Sequence, residues 1–347
     1  SKSILPSMEF MKSLGKGSYG SVDLMRLTKP DGTEPCYHAV KSSYAHDYES
    51  LRREFRILSK LRNCPRIVQT LGPMSSGVND YGVRVFKMSM EYAAGGSLAS
   101  FMETRTLSDS MIRDFTLMIL QGLVSVHSHG YVHCDLKPEN LLVFPRHVGG
   151  LQSTYELKLS DFGMSTKAGE ESEFWEFDSP FLGTPLYMSP ESVQEGVAEK
   201  ALDLWSLGCV VLEMYTGEPT WPFADSEDLM PELLNGNAPE IPQSLPWDAR
   251  QFLKTCFARN PDERGSAEEL LKHPLLRNVS DQKKVMVTGA GGKRESVGVL
   301  KPGDTTKKHL RVKIIPPKPL QFKKVSHRPL RLKIIPPKPP GCKLVPV

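Results

Sequence analysis

The sequence predicts a bilobal α+β fold: a small β-rich N-terminal lobe, a large helical C-terminal lobe, and a basic C-terminal tail predicted to be disordered. Three observations predict it. Short apolar runs parted by turn residues, with one helical stretch among them, fill residues 8–90. From Ser97 to about Leu276 the apolar residues recur at helical spacing. Beyond Arg277 the composition shifts to Gly, Lys and Pro, and aromatic residues nearly vanish.

Residues 10–14 and 21–27 flank a glycine-rich turn, as hairpin strands do. Residues 37–41 form a further short strand. Over 48–61, Leu51, Phe55, Leu58 and Leu61 fall at helical spacing, and Asn63, Pro65 and Gly72 then break the pattern. Residues 82–92 read as one or two strands. In the second lobe Ile112, Phe115, Leu117, Ile119, Leu120 and Leu123 mark one long buried helix. Val143, Leu157 and Leu159 sit in short apolar runs around a polar loop at 145–154. Residues 203–215 and 250–258 are further helices. The folded domain is thus expected over 8–276 and the tail over 277–347. The tail carries one duplication: LRVKIIPPKP at 310–319 recurs as LRLKIIPPKP at 330–339, with Leu332 in place of Val312. Two copies are too few for a stacked repeat fold.

The formal net charge of +4 conceals a division. Of 44 Lys/Arg and 40 Asp/Glu, 17 and 3 lie from Asp281 onward, which leaves 27 and 37 before it. An acidic body of net charge −10 therefore carries a basic tail of +14. No apolar run approaches the ~20 residues that span a bilayer, so membrane insertion is not expected. No signal peptide opens the sequence, and Ser1 in place of methionine reads as a processed start or a cut edge. The six cysteines show no CxxC pairing. That favours reduced thiols, a cytoplasmic or nuclear location, and no zinc site.

Four stretches carry chemistry. Gly15-Lys16-Gly17-Ser18-Tyr19-Gly20-Ser21-Val22 places glycines where a backbone can approach a phosphate without a Cβ. Alone this fits an ordinary turn or a dinucleotide site, but a dinucleotide fingerprint leads into a helix, and this one lies between two strands. Lys41 ends the Ala39-Val40-Lys41 run, 21 residues after Gly20, and precedes a helix bearing acids. By itself it reads as a solvated strand edge. Glu54 is its candidate partner, with Glu49 the alternative, because one sequence does not fix helix register. His133-Cys134-Asp135-Leu136-Lys137-Pro138-Glu139-Asn140 is followed, 21 residues after Asn140, by Asp161-Phe162-Gly163. Chance explains poorly two such spaced motifs downstream of a glycine loop and a lysine.

Together these residues make the chain resemble the eukaryotic protein kinases over residues 8–276. The resemblance implies transfer of the γ-phosphate of ATP, with Mg2+, to a serine or threonine. It implies Asp135 as acceptor of the substrate hydroxyl proton, Lys137 against the γ-phosphate, Lys41 on the α/β-phosphates held by Glu54, and Asn140 and Asp161 as magnesium ligands. It places Leu14, Gly15, Gly17, Gly20, Val22, Ala39, Lys41, Met90, Glu91, Ala93 and Leu142 around the nucleotide, with Met90 as gatekeeper before a hinge at Glu91-Tyr92-Ala93. Val22, Ala39 and Leu142 would each be plain core in isolation. Ser189-Pro190-Glu191 resembles the end of the activation segment, with Glu191 expected to pair with Arg264. Asp203-Leu204-Trp205-Ser206-Leu207-Gly208 resembles the helix start whose aspartate braces the catalytic-loop backbone. Gly183-Thr184-Pro185-Leu186-Tyr187-Met188 is similar to the serine/threonine enzymes of the MAP kinase kinase kinase branch. Asn63-Cys64-Pro65-Arg66-Ile67-Val68, Gly95-Gly96-Ser97-Leu98 and His133-Cys134-Asp135 resemble a plant subgroup of short chains, an N-terminal kinase domain followed by a short tail. MAP kinase kinases are the protein substrates this implies.

One position departs. Cys134 stands where the family has an arginine that binds an activation-segment phosphate, which predicts activity less dependent on that phosphate. It reads as a core thiol rather than a redox sensor. Residues 170–178 supply five acids around Phe174, Trp175 and Phe177 and read as a solvated loop in preference to a phosphate mimic. The competing function is a kinase-shaped scaffold, or pseudokinase, acting through its basic tail. Retention of Lys41, Asp135, Asn140 and Asp161 argues against it. Nucleic-acid or anionic-membrane binding by the tail is disfavoured, since its lysines are spread among prolines, it lacks a lipidation motif, and Phe322 is its sole aromatic. It reads as a docking segment for a protein substrate or as a solvated linker.

Overall fold

Strand-forming residues of the first lobe pair into a five-stranded antiparallel sheet, β1 (Ser7–Gly17), β2 (Gly20–Thr28), β3 (Cys36–Tyr44), β4 (Ser75–Val78) and β5 (Arg84–Glu91), in the order β1-β2-β3-β5-β4. The computed structural model describes residues 7–17, 20–29, 31–79, 81–147, 153–171, 183–222 and 226–277. Ser18 and Tyr19 of the glycine loop, Glu173, Glu176, Asp178 and the three aromatics among them, and the tail from 278 with its duplication lie outside these residues.

Two register pairs decide the geometry of the cleft. Val22 opposes Lys41 across β2 and β3, and Ala39 opposes Met90 across β3 and β5. Gly20 is where the hairpin turns down onto β3. Its φ is +147°, and a Cβ there would lie 1.8 Å from the Ser42 carbonyl oxygen. Only glycine allows this approach. Helix α1 (Tyr48–Lys60) crosses the sheet with Leu51, Glu54, Ile57 and Leu58 buried. A carboxylate among three aliphatic residues demands a charged partner.

The second lobe is built on two long helices, α3 (Asp109–Ser128), preceded by α2 (Leu98–Glu103), and α5 (Lys200–Thr216). Ser108 caps α3 by accepting from Met111 N–H at 3.3 Å. Leu120, Leu123, Trp205 and Leu207 are wholly buried between the helices and their neighbours. Truncating such a leucine to alanine costs about 2–5 kcal/mol. Two short strand pairs lie on the cleft side of α3: β6 (Tyr131–Val132) pairs with β9 (Thr166–Lys167), and β7 (Leu141–His147) pairs with β8 (Ser153–Leu159). Helices α4 (Pro190–Glu195), α6 (Ser226–Leu234), α7 (Trp247–Cys256) and α8 (Ala267–Leu270) complete the lobe. Residues 66–68 join the lobes: Val68 N–H donates to Leu159 O at 3.0 Å and Leu159 N–H to Arg66 O at 2.8 Å.

The sequence reading named no strand at β6 or β9 and no helix at α4, α6 or α8, and it differs from this in two further respects. The strand beside β5 lies before it, at β4, whose four residues are all exposed and show no apolar alternation. The polar loop at 145–154 is narrower than expected, because backbone pairing carries β7 and β8 into it.

Candidate active site

Two clusters face the cleft. The first is ionic. Lys41 Nζ lies 2.6 Å from Glu54 Oε2 and 3.0 Å from Asp161 Oδ1. Burial alone would draw the lysine's pKa down, but the carboxylates of Glu54 and Asp161 outweigh it and hold the ammonium above the ordinary lysine value. Burial pulls the Glu54 carboxyl up, against the opposing lysine. Burial acts likewise on Asp161, but Lys41 prevails and the net shift is downward. The second carboxylate oxygen of Glu54 accepts from the Phe162 amide at 3.2 Å, and Phe162 is wholly buried against His133, ring centres 4.9 Å apart. Glu49, the alternative partner, is 72% exposed and turned to Arg52. Helix register thus settles on Glu54.

The second cluster surrounds Asp135. Its Oδ1 accepts from Thr184 N–H at 3.0 Å and Thr184 Oγ1 at 2.7 Å. Its Oδ2 accepts from Lys137 Nζ and Asn140 Nδ2, both at 2.9 Å. Lys137 also donates to Thr184 Oγ1 at 2.6 Å. Asp203, at the start of α5 and 0% exposed, accepts from His127 Nε2, His133 N–H and Cys134 N–H at 2.8–3.0 Å. This pins the loop before Asp135 with Cys134 at φ +68°, a conformation costly for a non-glycine residue unless its surroundings fix it. The Cys134 thiol packs with Val132, Ala198 and Leu202. Burial first, then the nearby Asp203, pushes its pKa well above the ordinary thiol value. It is an apolar packing group. Gly183, at φ +110°, brings Thr184 to the loop: a Cβ there would lie 2.2 Å from the Cys134 carbonyl oxygen.

Of the remaining sequence-predicted residues, Ala39 and Met90 are buried, Val22 and Leu142 half-buried, and Leu14 exposed at a β-bulge. The Glu91 side chain is taken up by Lys158 at 2.8 Å and by the Gln69 amide at 2.9 Å, and its backbone N–H donates to Gln69 O at 3.1 Å, which leaves its carbonyl to face a ligand. Glu191 and Arg264 pair, with Arg264 wholly buried beneath Trp205. Sequence reasoning missed Thr184 and His133 as members of the site. Asp135 N–H donates to His133 Nδ1 at 3.3 Å, and His133 Nε2–H donates to Ser160 O at 3.0 Å, so the imidazole props the loop. The signal for both lay within motifs already singled out, but the contacts of Thr184 with Asp135 and of His133 with Ser160 join positions remote in sequence.

The donor set suits magnesium carried in by phosphates. Asn140 spends its amide N–H groups on Asp135, and Asp161 spends Oδ1 on Lys41 and Gly163, which leaves Asn140 Oδ1 and Asp161 Oδ2 without hydrogen bonds among the described residues. No group of three or more His, Cys, Asp or Glu able to hold a metal occurs among the described residues. Magnesium is commonly held by one or two carboxylates plus substrate phosphates, so a sparse set fits.

Residues 8–276 match the family described as protein kinase domain. The chain belongs to the protein kinase family. The kinase is 33% identical over 278 residues to mitogen-activated protein kinase kinase kinase 20 of Arabidopsis thaliana, covering 78% of each chain. It is 34% identical over 288 residues to kinase kinase kinase 18 of the same plant, covering 80% of this chain and 79% of the relative. Against kinase kinase kinase 17 it is 34% identical over 258 residues, 72% of this chain and 65% of the relative. It is a serine/threonine protein kinase that resembles plant MAP kinase kinase kinases, and ATP is its phosphoryl donor. No helix among the described residues is long and apolar enough to cross a membrane.

Proposed function

We propose that this kinase phosphorylates MAP kinase kinases, as a MAP kinase kinase kinase of a signalling cascade. The observation that carries catalysis is the coexistence of both clusters: the Lys41–Glu54 pair is formed while Asp161 faces Lys41 and Asp135 is fully oriented. Protein kinases need the lysine–glutamate pair and the metal-binding aspartate in place together. The names and matching lengths of the Arabidopsis relatives support the substrate class.

In this reading the glycine hairpin and Leu14 cover the nucleotide, Val22, Ala39, Met90 and Leu142 enclose the adenine, and the backbone at Glu91 and Ala93 meets its edge. Lys41, fixed by Glu54, holds the α/β-phosphates. Asn140 and Asp161 would hold Mg2+, which neutralises phosphate charge when bound. Asp135 accepts the proton of the substrate hydroxyl, and Lys137, now shared between Asp135 and Thr184, meets the γ-phosphate. The tail supplies docking contacts to the protein substrate.

A panel of catalytically dead MAP kinase kinases, offered with radiolabelled ATP, tests the substrate class. Label is expected on activation-segment serine or threonine of at least one member, and not with Lys41→Met. Efficient labelling of a generic basic protein with none on the panel would refute the substrate class. Absence of label everywhere would favour the scaffold reading.

A further inference from the structure

Behind the hinge, three segments meet at one carboxylate. Strand β5 ends at Glu91, the linking segment brings Gln69 to it, and β8 brings Lys158. Lys158 Nζ donates to both Glu91 oxygens, at 2.8 and 2.9 Å. Glu91 Oε2 also accepts from the Gln69 amide at 2.9 Å. Lys158 is 9% exposed, and its ammonium lies 4.9 Å from the centre of the Phe144 ring. Glu156, the acid of β8 itself, is engaged by Arg66 and Arg146. A buried ion pair is a poor device for stability alone, since apolar residues of similar volume often serve as well. The position of this pair gives it another use. Lys158 stands directly opposite Leu142 in the β7–β8 register. With Leu142 enclosing the adenine and the Glu91 carbonyl at its edge, one lysine is tied to two walls of the base site.

We infer that Lys158 is a positioning residue for the nucleotide: by clamping the Glu91 carboxylate it fixes the Glu91 carbonyl against the base, and so sets the preference for adenine over guanine. The inference rests on that placement of the base. Adenine presents an exocyclic amino donor where guanine presents a carbonyl acceptor. A backbone carbonyl held at a fixed point favours the donor and opposes the acceptor. The Glu91 N–H is already spent on Gln69 O at 3.1 Å, so Glu91 offers guanine no donor in exchange. The clamp matters because a hydrogen bond weakens steeply once its donor and acceptor are misaligned. Without Lys158 the carboxylate keeps only the Gln69 amide, and the Glu91 backbone gains freedom to tilt its carbonyl away from the base.

Nucleotide affinity is measured on the full chain by displacing a fluorescent ATP analogue with ATP and with GTP, beside steady-state kinetics on a generic basic protein. Lys158→Met, which keeps the length and loses the charge, is expected to weaken ATP binding about five- to tenfold and GTP binding less than about twofold. The KM for ATP should rise in step while kcat stays nearly constant, because Lys41, Asp135 and Asp161 are untouched. Lys158→Arg should restore most of the preference, since a guanidinium also holds a carboxylate through two bonds. Glu91→Gln should reproduce the loss, and adding Lys158→Met to it should cost little more, because the two residues act as one unit. If Lys158→Met does not fold, Lys158→Gln should still lower the ATP-to-GTP preference at least about twofold. Unchanged ATP affinity, or equal weakening of both nucleotides, overturns the proposal, as does a double variant whose loss equals the two single losses combined. Wild type that binds GTP as tightly as ATP overturns the placement of the base, and the proposal with it. None of these measurements involves a MAP kinase kinase, so the substrate-panel result stands whichever way they fall.

Discussion

At Asp135 both carboxylate oxygens are held, one by the Thr184 amide and hydroxyl, the other by Lys137 and Asn140. A carboxylate clamped from two sides cannot swing away, so an incoming hydroxyl meets it at a set orientation, which is where much of an enzyme's advantage over solution lies. Removing that group, or the charges that position the phosphates, should therefore stop transfer while sparing the fold. Asp135→Asn, Lys41→Met and Asp161→Ala are each expected to lower single-turnover transfer to a generic basic protein by at least about a hundredfold. Near-wild-type rates in all three would remove the assignment of these roles. Lys41, Asp135, Asn140 and Asp161 were legible because each lies in a short motif whose residue types have few other uses together. Thr184 was not, since its contact with Asp135 spans 49 positions and depends on Gly183 approaching the Cys134 carbonyl. Short-range pattern carries no record of such a meeting.

Elements were legible where burial imposes a period. Helices α1, α3 and α5 bury aliphatic stripes or entire faces, and the apolar spacing marks them to within a few residues. Strand β4 was invisible because all its side chains are exposed and only backbone pairing with β5 defines it. The attachment of the activation segment to the helical lobe was read from resemblance, and the structure supplies its energetics. Glu191 opens α4, and Arg264, in a 3-10 turn near α7, is 0% exposed as a side chain. Its other hydrogen bonds reach the carbonyls of Ala258 and Ala201, neither of which neutralises it. Glu191→Ala is expected to destabilise the helical lobe by about 3–5 kcal/mol, the cost of a buried charge left without its counter-ion. Glu191→Gln, which keeps an acceptor, should cost less. Urea unfolding monitored by tryptophan fluorescence reports both, since Trp205 lies against Arg264. Equal midpoints for Glu191→Ala and wild type would show that the pair does not secure the segment.

On the scale of the whole chain, charge is divided between an acidic body and a basic tail, and all four isoleucines of the tail lie in its duplicated element. Lys307 and Lys308 precede Leu310-Arg311-Val312, and Arg328 precedes Leu330-Arg331-Leu332. In an extended strand alternate side chains point the same way, so Leu310 with Val312, and Leu330 with Leu332, can enter pockets on one face while the cations meet an acidic patch. Pro316-Pro317 and Pro336-Pro337 favour polyproline II in the residues around them, which lowers the entropy lost on binding. Two copies on one tether raise avidity for a partner with two sites, and raise the encounter rate for a partner with one. Alanine at Leu310, Val312, Leu330 and Leu332 is therefore expected to weaken capture and phosphorylation of a full-length MAP kinase kinase several-fold. Phosphorylation of a short free peptide should stay unchanged, because such a peptide uses only the cleft. Alanine at the four prolines should cost less, since it loosens the segment without removing its contacts. A larger loss from the proline changes would mean that the prolines themselves are recognised. If the four-alanine protein captures and phosphorylates the full-length partner as well as wild type, the docking role is wrong, and the duplicated element serves as a solvated linker.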